Sequence, residues 1–340
     1  MWELVSRFNQ IIETVSLRNL GFGFYWGWIY VSFSSLIFFS FDESDVLLDR
    51  LCSVTSLLFF VGALWVVYRL RSTVSLNSTY FALTAVLSVA GTVFLALSSI
   101  ASFFPVLIVG LGLMGIASAL FIVGWGCYYV TMDLKTGYLL TSASFVVAVL
   151  IYFLVLDLSQ PIASVVCIAL PLASTVLLRL AVESQSVGEA DNEERARRQG
   201  ARRTGLSWKF LLGVVLCSGI IGVMKSIYAL LVPYQSVTYE FSFLVSGIVA
   251  TVLFVASLVL FRRSENLYLV FFLLTIPVIS LSFLLLPLVG FDSPLVFGFV
   301  NIGETCLNIL LWCVLLGCAK GFCRLPVAVF SFGWLAITFG

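Results

Sequence analysis

Two charged residues stand inside otherwise apolar stretches: Lys225 and Glu304. A charge at the centre of a bilayer costs about 2.5–3.5 kcal/mol on insertion scales, so it is kept where it pairs, faces water or handles a ligand or ion. Lys225 lies about seven residues from the outer end of its segment, roughly 10 Å at the helical rise. Glu304 lies about nine residues from the outer end of its own, roughly 14 Å. A basic and an acidic group at similar depth suit ligand binding or proton handling. The plainer alternative is a salt bridge that only ties two helices together. Asn301, Thr305 and Asn308 flank Glu304 at helical spacings, so all four fall on one polar face. Histidine is absent from the chain. This removes imidazole from catalysis, metal ligation and proton relay. The eight cysteines lie in or beside apolar segments, where they behave as small apolar residues. No nucleophile–base pair, metal-ligand cluster or phosphate loop stands at a useful spacing. No enzymatic activity, metal or cofactor is expected.

Aromatic residues form the second chemical feature. The segment GFGFYWGWIY places Tyr25, Trp26 and Tyr30 around Gly23 and Gly27. Gly-x-x-x-Gly lets a second helix approach closely. Tyr and Trp at the ends of a span form an interfacial belt. Tyr25 and Trp26 fit such a belt less well than a lined pocket. Another segment carries Gly110, Gly112, Gly115, Gly124 and Gly126 with Trp125, Tyr128 and Tyr129. There, close helix packing is favoured over a ligand role. If the aromatic residues face inward, the ligand is a small, partly aromatic or apolar molecule. The candidate ligand-binding set is Lys225, Glu304, Asn301, Asn308, Tyr25, Trp26, Tyr30 and Trp125.

The elements that position these residues follow from composition. Apolar residues make up 61% of the chain and charged residues 10%, and the mean hydropathy is +1.13. A soluble domain is nearer half apolar and a quarter charged. The chain therefore reads as an all-α, polytopic integral membrane protein. A crossing helix needs about 20 mostly apolar residues. Spans are expected at 20–40, 51–70, 79–101, 104–131, 137–156, 161–182, 208–232, 241–261, 266–288, 294–318 and 322–340. Residues 1–19 carry a thin apolar stripe (Leu4, Phe8, Ile11 or Ile12, Val15), which suits a short interfacial helix or a cytoplasmic tail.

One long polar run, Glu183 to Lys209, interrupts the pattern. It is acidic first and basic after. Its base-rich half suits an anionic lipid surface better than nucleic acid, since no aromatic interleaving or folded domain surrounds it. The run divides the chain into an N-terminal six-helix bundle (1–182), a charged cytoplasmic linker (183–209) and a C-terminal membrane bundle (210–340). With the N-terminus inside, all of the 18 basic residues except Arg50 and Lys225 fall in the inner gaps. This is the positive-inside asymmetry. Asp42, Glu43, Asp45 and Asp49 fall outside. A multi-pass membrane protein with its basic gaps on the cytoplasmic side is expected.

The halves echo one another. The second span ends YRLRS at Ser72, about 52 residues after Leu20, and the eighth ends LFRRS at Ser264, about 55 after Lys209. Equal spacing favours a parallel repeat of two six-helix bundles. On that reading the second bundle is one helix short, and a twelfth span is expected downstream, with room for a soluble domain beyond it.

Six helices, a charged cytoplasmic loop and a second set resemble the major facilitator superfamily. That resemblance implies a central cavity lined by spans one, four, seven and ten, which places Lys225 and Glu304 on neighbouring helices. The loop after the second span departs from the superfamily motif. Here it reads YRLRSTVSLNS, with Arg69 and Arg71 but neither the Asp nor the glycines. The opening LRNLGFGFYWGWIYVSF (Leu17–Phe33) is similar to the membrane half of bacterial LuxR-type regulators, in which a facilitator bundle precedes a helix-turn-helix domain. This resemblance implies a non-transporting sensor that binds a small molecule between its bundles. DNA would be reached only through a C-terminal domain absent from these residues. The alternative is a facilitator-type secondary transporter of a small, partly apolar molecule, proton-coupled through Glu304. The expected partners are the bilayer and a small-molecule ligand. The sequence leaves the oligomeric state open.

Overall fold

The computed structural model describes residues 16–34, 37–38, 46–72, 74–101, 104–186, 208–231, 294–322 and 326–338, with isolated helical positions between 245 and 289. The expected interfacial helix before residue 16, most of the linker, and the spans expected at 241–261 and 266–288 lie outside the described residues. Among the described residues every regular element is a helix: α1 (Gly21–Ser34), α2 (Val46–Arg69), α3 (Ser78–Ala101), α4 (Phe104–Thr131), α5 (Leu134–Leu156), α6 (Gln160–Ser186), α7 (Trp208–Leu231), α8 (Pro294–Phe322) and α9 (Pro326–Thr338).

Helices dominate because a bilayer offers no water to backbone N–H and C=O groups, so each segment must satisfy its own. Helices α3, α4, α5, α6 and the 298–320 part of α8 are long and apolar enough to cross a membrane. The outward faces are as apolar as the interior: Leu58, Val86, Leu150, Leu154 and Val165 are all exposed. Such a surface suits acyl chains, not water. The chain is a polytopic membrane bundle.

Burial ranks the helices. In their most apolar windows α4 and α8 are 72% buried, against 39% for α3 and α6. The two inner helices are thus the fourth and tenth expected spans. In the N-terminal half α4 packs on α2 and α3, while α1 packs on α5 and α6. From the other side α8 packs on α5 and α7, and α9 packs on α2, α4 and α7. Helices α8 and α9 therefore form the described seam between the halves.

Glycines set these approaches. A Cβ on Gly23 would lie 2.7 Å from the Ser144 carbonyl oxygen, and one on Gly27 2.8 Å from Ile151. The Gly-x-x-x-Gly of α1 thus seats α5, as its spacing suggests. Gly110 meets the Gly91 carbonyl of α3 in the same way, and Gly126 carries the Phe330 ring of α9. The glycines of α4 serve packing.

Two boundaries differ from expectation. Helix α6 continues to Ser186, so Glu183 belongs to its last turns rather than to the linker. The Arg179 guanidinium donates to Glu183 at 2.7 Å, an i,i+4 pair. Helix α7 begins at Trp208, where the span at 208–232 is expected to start, so Trp208 and Lys209 belong to the helix rather than to the linker. At the inner end of the fourth span, Asp133 caps α5 by accepting from the Lys135 amide at 3.1 Å.

Candidate functional site

The candidate site lies where α1 faces α8 and α9. Helix α1 contributes an aromatic column because its tightly packed back, Gly23 and Gly27, leaves the large residues to point elsewhere. Phe22 and Trp28 are fully buried, and Tyr25 and Trp26 nearly so. Helix α8 contributes a polar stripe that runs into an aromatic one. At 3.6 residues per turn, Asn301, Asn308 and Trp312 fall within about 40° of one another, with Glu304 and Thr305 on the flanks.

The two helices meet in antiparallel register. At one end the Tyr30 hydroxyl is within electrostatic reach of the Glu304 carboxylate. At the other, the Phe22 and Trp312 rings stand edge to face with centroids 4.5 Å apart. Tyr30 follows Phe22 by eight residues and Trp312 follows Glu304 by eight, so the spacing agrees on both helices. That is about 12 Å of shared length at 1.5 Å per residue.

Between these ends the aromatic residues form one contact network. Trp26 lies 5.0 Å from Phe145 of α5 and 5.8 Å from Trp334 of α9. Trp312 lies 4.9 Å from Phe330 and 6.1 Å from Trp334. These spacings suit edge-to-face and offset ring pairs.

The polar atoms of these rings divide into two groups. Away from the seam they are partnered. The Trp28 indole donates to Thr92 Oγ1 at 2.9 Å, and the Trp125 indole to Ser174 Oγ at 3.1 Å. Ser174 in turn donates to the Gly21 carbonyl at 2.8 Å. Tyr128 and Tyr129 donate to the Asn19 side chain and carbonyl at 2.7 and 2.9 Å. At the seam, the indole nitrogens of Trp26, Trp312 and Trp334, and Nδ2 of Asn301, are buried with no hydrogen-bond partner among the described residues. A buried donor left unsatisfied costs about 1–3 kcal/mol, and an indole N–H can only donate.

The sequence-derived candidates fare differently. Tyr30 and Glu304 lie within electrostatic reach of each other. Asn301 is buried on the α8 stripe, and its carbonyl accepts from Thr305 Oγ1 at 2.9 Å. Asn308 is half-buried on the same stripe. Tyr25 is buried against α4, its ring beside Phe121 and its hydroxyl turned to Ser118. Trp26 sits in the aromatic network. Trp125 touches Phe22 at 6.1 Å, but its N–H is already occupied, so it stitches α4 to α6 and α1. Lys225 is within α7, and its side chain lies outside the described residues. Its pairing with Glu304 therefore has no structural reading here.

Sequence reasoning missed Trp312, Trp334 and Phe330. A signal existed. Interfacial Trp sits at span ends, whereas Trp312 is the nineteenth residue of the 29 in α8. A mid-span Trp has no headgroup for its N–H. A cleft of about 970 Å³ opens elsewhere, between the lipid-facing sides of α2 and α3, with Gly62, Val66 and Leu83 in its walls and Leu120 of α4 beneath. It shares no residue with the candidate set.

The described helices form a polytopic membrane bundle with α4 and α8 as its most buried spans. No protein-family profile matches the chain, and no curated protein sequence does. Among solved structures the chain is similar to the E. coli fucose:proton symporter, FucP, with a TM-score of 0.55 at 11% identity. The match covers 96% of this chain and 89% of that one. At that identity the likeness concerns the fold.

Proposed function

We propose that the chain binds a small, partly apolar molecule at the seam between its two helix groups and carries it across the bacterial inner membrane as a facilitator-type secondary transporter. No catalysis is assigned to it. One observation carries this reading: α1 and α8 face each other in register, with a carboxylate and a phenol at one end and an aromatic closure at the other. An intramembrane carboxylate beside a hydroxyl is suited to taking up and releasing a proton. The architecture shared with a proton symporter supports the same reading. The two groups of helices would rock about the seam, with the stretch between α6 and α7 as the cytoplasmic connector and the bundles on either side as the moving bodies.

The test is proton movement in vesicles loaded with a pH-sensitive dye and reconstituted with the full chain. L-Fucose and a panel of small neutral aromatic compounds serve as challenges. A compound that drives proton entry with the unaltered protein, and fails to with Glu304→Gln, supports coupled transport. Flux that persists unchanged in Glu304→Gln removes the carboxylate from the mechanism.

A second reading, a ligand sensor of the LuxR-type regulator kind, is favoured by one observation on α2. The eroded inner loop leaves its basic residues stacked on their own helix: the Arg69 guanidinium is 4.5 Å from the Trp65 ring and that of Arg71 4.7 Å from Tyr68. On this reading the seam binds ligand without flux, and DNA is contacted by a domain outside these residues. Ligand binding in vesicles with no accompanying solute movement separates it from the first.

A further inference from the structure

We propose that the seam reads hydrogen-bond acceptors. Trp26, Trp312 and Trp334 form a three-donor site for a flat, largely apolar, uncharged molecule bearing carbonyl or ether oxygens. The proposal rests on the seam being the ligand site and adds the class of ligand it takes.

Three observations lead there. Every buried side-chain nitrogen without a partner among the described residues lies on α1, α8 or α9: Trp26, Asn301, Trp312 and Trp334. Each is a donor, so an acceptor is the group these positions lack. The three indoles also belong to one ring network, through Trp334, which touches both Trp26 and Trp312. Finally, the indoles of Trp28 and Trp125, equally buried but inside the N-terminal half, each find a hydroxyl. This fold therefore supplies hydroxyl partners to tryptophans elsewhere and withholds them at the seam.

The chemistry of the occupant follows. Indole faces take flat apolar rings by stacking. Indole N–H groups reward oxygen acceptors and gain nothing from an ammonium. A site built on donors rejects an isostere without acceptors, because its buried N–H groups then stay unpaired. Glu304 lies about 12 Å along α8 from Trp312 at the helical rise, beyond the reach of rings bound at the indoles. Rings of α1 touch those of α8 and α9 across the seam, so the ligand enters as these helices part.

The experiment uses the full chain in lipid nanodiscs with its tryptophans labelled with ¹⁵N at the indole. Two bicyclic probes of like size are titrated: chromone, which has a ketone and a ring ether, and naphthalene, which has neither. The expected result is that chromone moves the indole N–H signals of Trp26, Trp312 and Trp334 downfield and leaves Trp28 in place. Naphthalene should bind at least about tenfold more weakly. Trp26→Phe, Trp312→Phe and Trp334→Phe each keep an aromatic ring and lose the N–H. Each should weaken chromone binding about three- to tenfold, the range for one hydrogen bond, while Trp28→Phe should not. Equal binding of the two probes, or a chromone response that spares the three indoles, overturns the proposal. The labelled unaltered protein decides this even if a variant fails to fold. Glu304-dependent flux in vesicles that survives such a result leaves the transport reading standing. Loss of that flux with the indole response intact overturns transport alone.

Discussion

At the residue scale, the buried tryptophans offer a controlled comparison. Trp125→Phe and Trp312→Phe remove the same atoms from fully buried sites. Trp125→Phe also strands the Ser174 hydroxyl from its indole partner, whereas Trp312→Phe removes an N–H that has none. Measured by thermal unfolding in detergent, Trp125→Phe should cost about 1 kcal/mol more than Trp312→Phe in the ligand-free protein. Equal losses would mean that the Trp312 indole already holds a partner. Asn19 extends the argument. It accepts from Tyr128 and lies against Tyr129. Asn19→Ala leaves the Tyr128 hydroxyl buried without its acceptor and should cost about 1–3 kcal/mol. Tyr128→Phe in the Asn19→Ala background should recover part of that loss, read as a double-mutant cycle. The exposed Arg179–Glu183 pair should contribute little, as solvent-exposed ion pairs do.

At the element scale, glycine marks where helices touch across the halves. On Gly126 of α4 a Cβ would fall 2.5 Å from the Phe330 ring of α9, while on Gly62 of α2 it would meet nothing within 4 Å. Gly126→Ala should therefore destabilise by about 1–3 kcal/mol through overpacking. Gly62→Ala should be neutral or better, since alanine favours the helix. Phe330→Leu should restore part of the Gly126→Ala loss. Helical spacing in the sequence suggested close packing for the α4 glycines and for Gly23 and Gly27, and the structure agrees. Spacing did not say which partner each would meet. For Gly126 that partner is 204 positions away, in the last described helix.

At the scale of the whole molecule, the governing term is the charge asymmetry across the bilayer. On the positive-inside reading the short α5–α6 connection is expected outside and the start of α5 inside. A Cys introduced at Ser159 should react with a membrane-impermeant maleimide on intact cells. One at Lys135 should react only after permeabilisation. The reverse pattern would invert the orientation and with it the assignment of inner and outer ends to the seam. Rigid-body rocking makes a second demand at this scale. A Cβ on Gly137 of α5 would sit 3.3 Å from Leu316 of α8, so cross-linking Gly137→Cys to Leu316→Cys should lock the halves. Solute flux should then fall to background in vesicles and return on reduction if the seam opens during transport. Unchanged flux in the cross-linked protein would place the moving parts elsewhere.

The sequence by itself determined that this chain lives in a bilayer, where its described helices begin and end to within a few residues, and which ends are expected to face the cytoplasm. These properties are local or additive, since apolar length and basic charge act segment by segment. It also identified Lys225 and Glu304, with Asn301 on the Glu304 face, as polarity inside apolar runs, because a polar group in an apolar run is visible without its neighbours. Only the tertiary structure decided that Glu304 lies within electrostatic reach of Tyr30, that Trp125 donates to Ser174, and that the Trp26, Trp312 and Trp334 indoles have no hydrogen-bond partner among the described residues. A buried donor is satisfied or stranded by an atom far along the chain: 49 positions for Trp125, 64 for Trp28. Which distant hydroxyl arrives is set by how the helices pack, and that is a property of the assembled bundle.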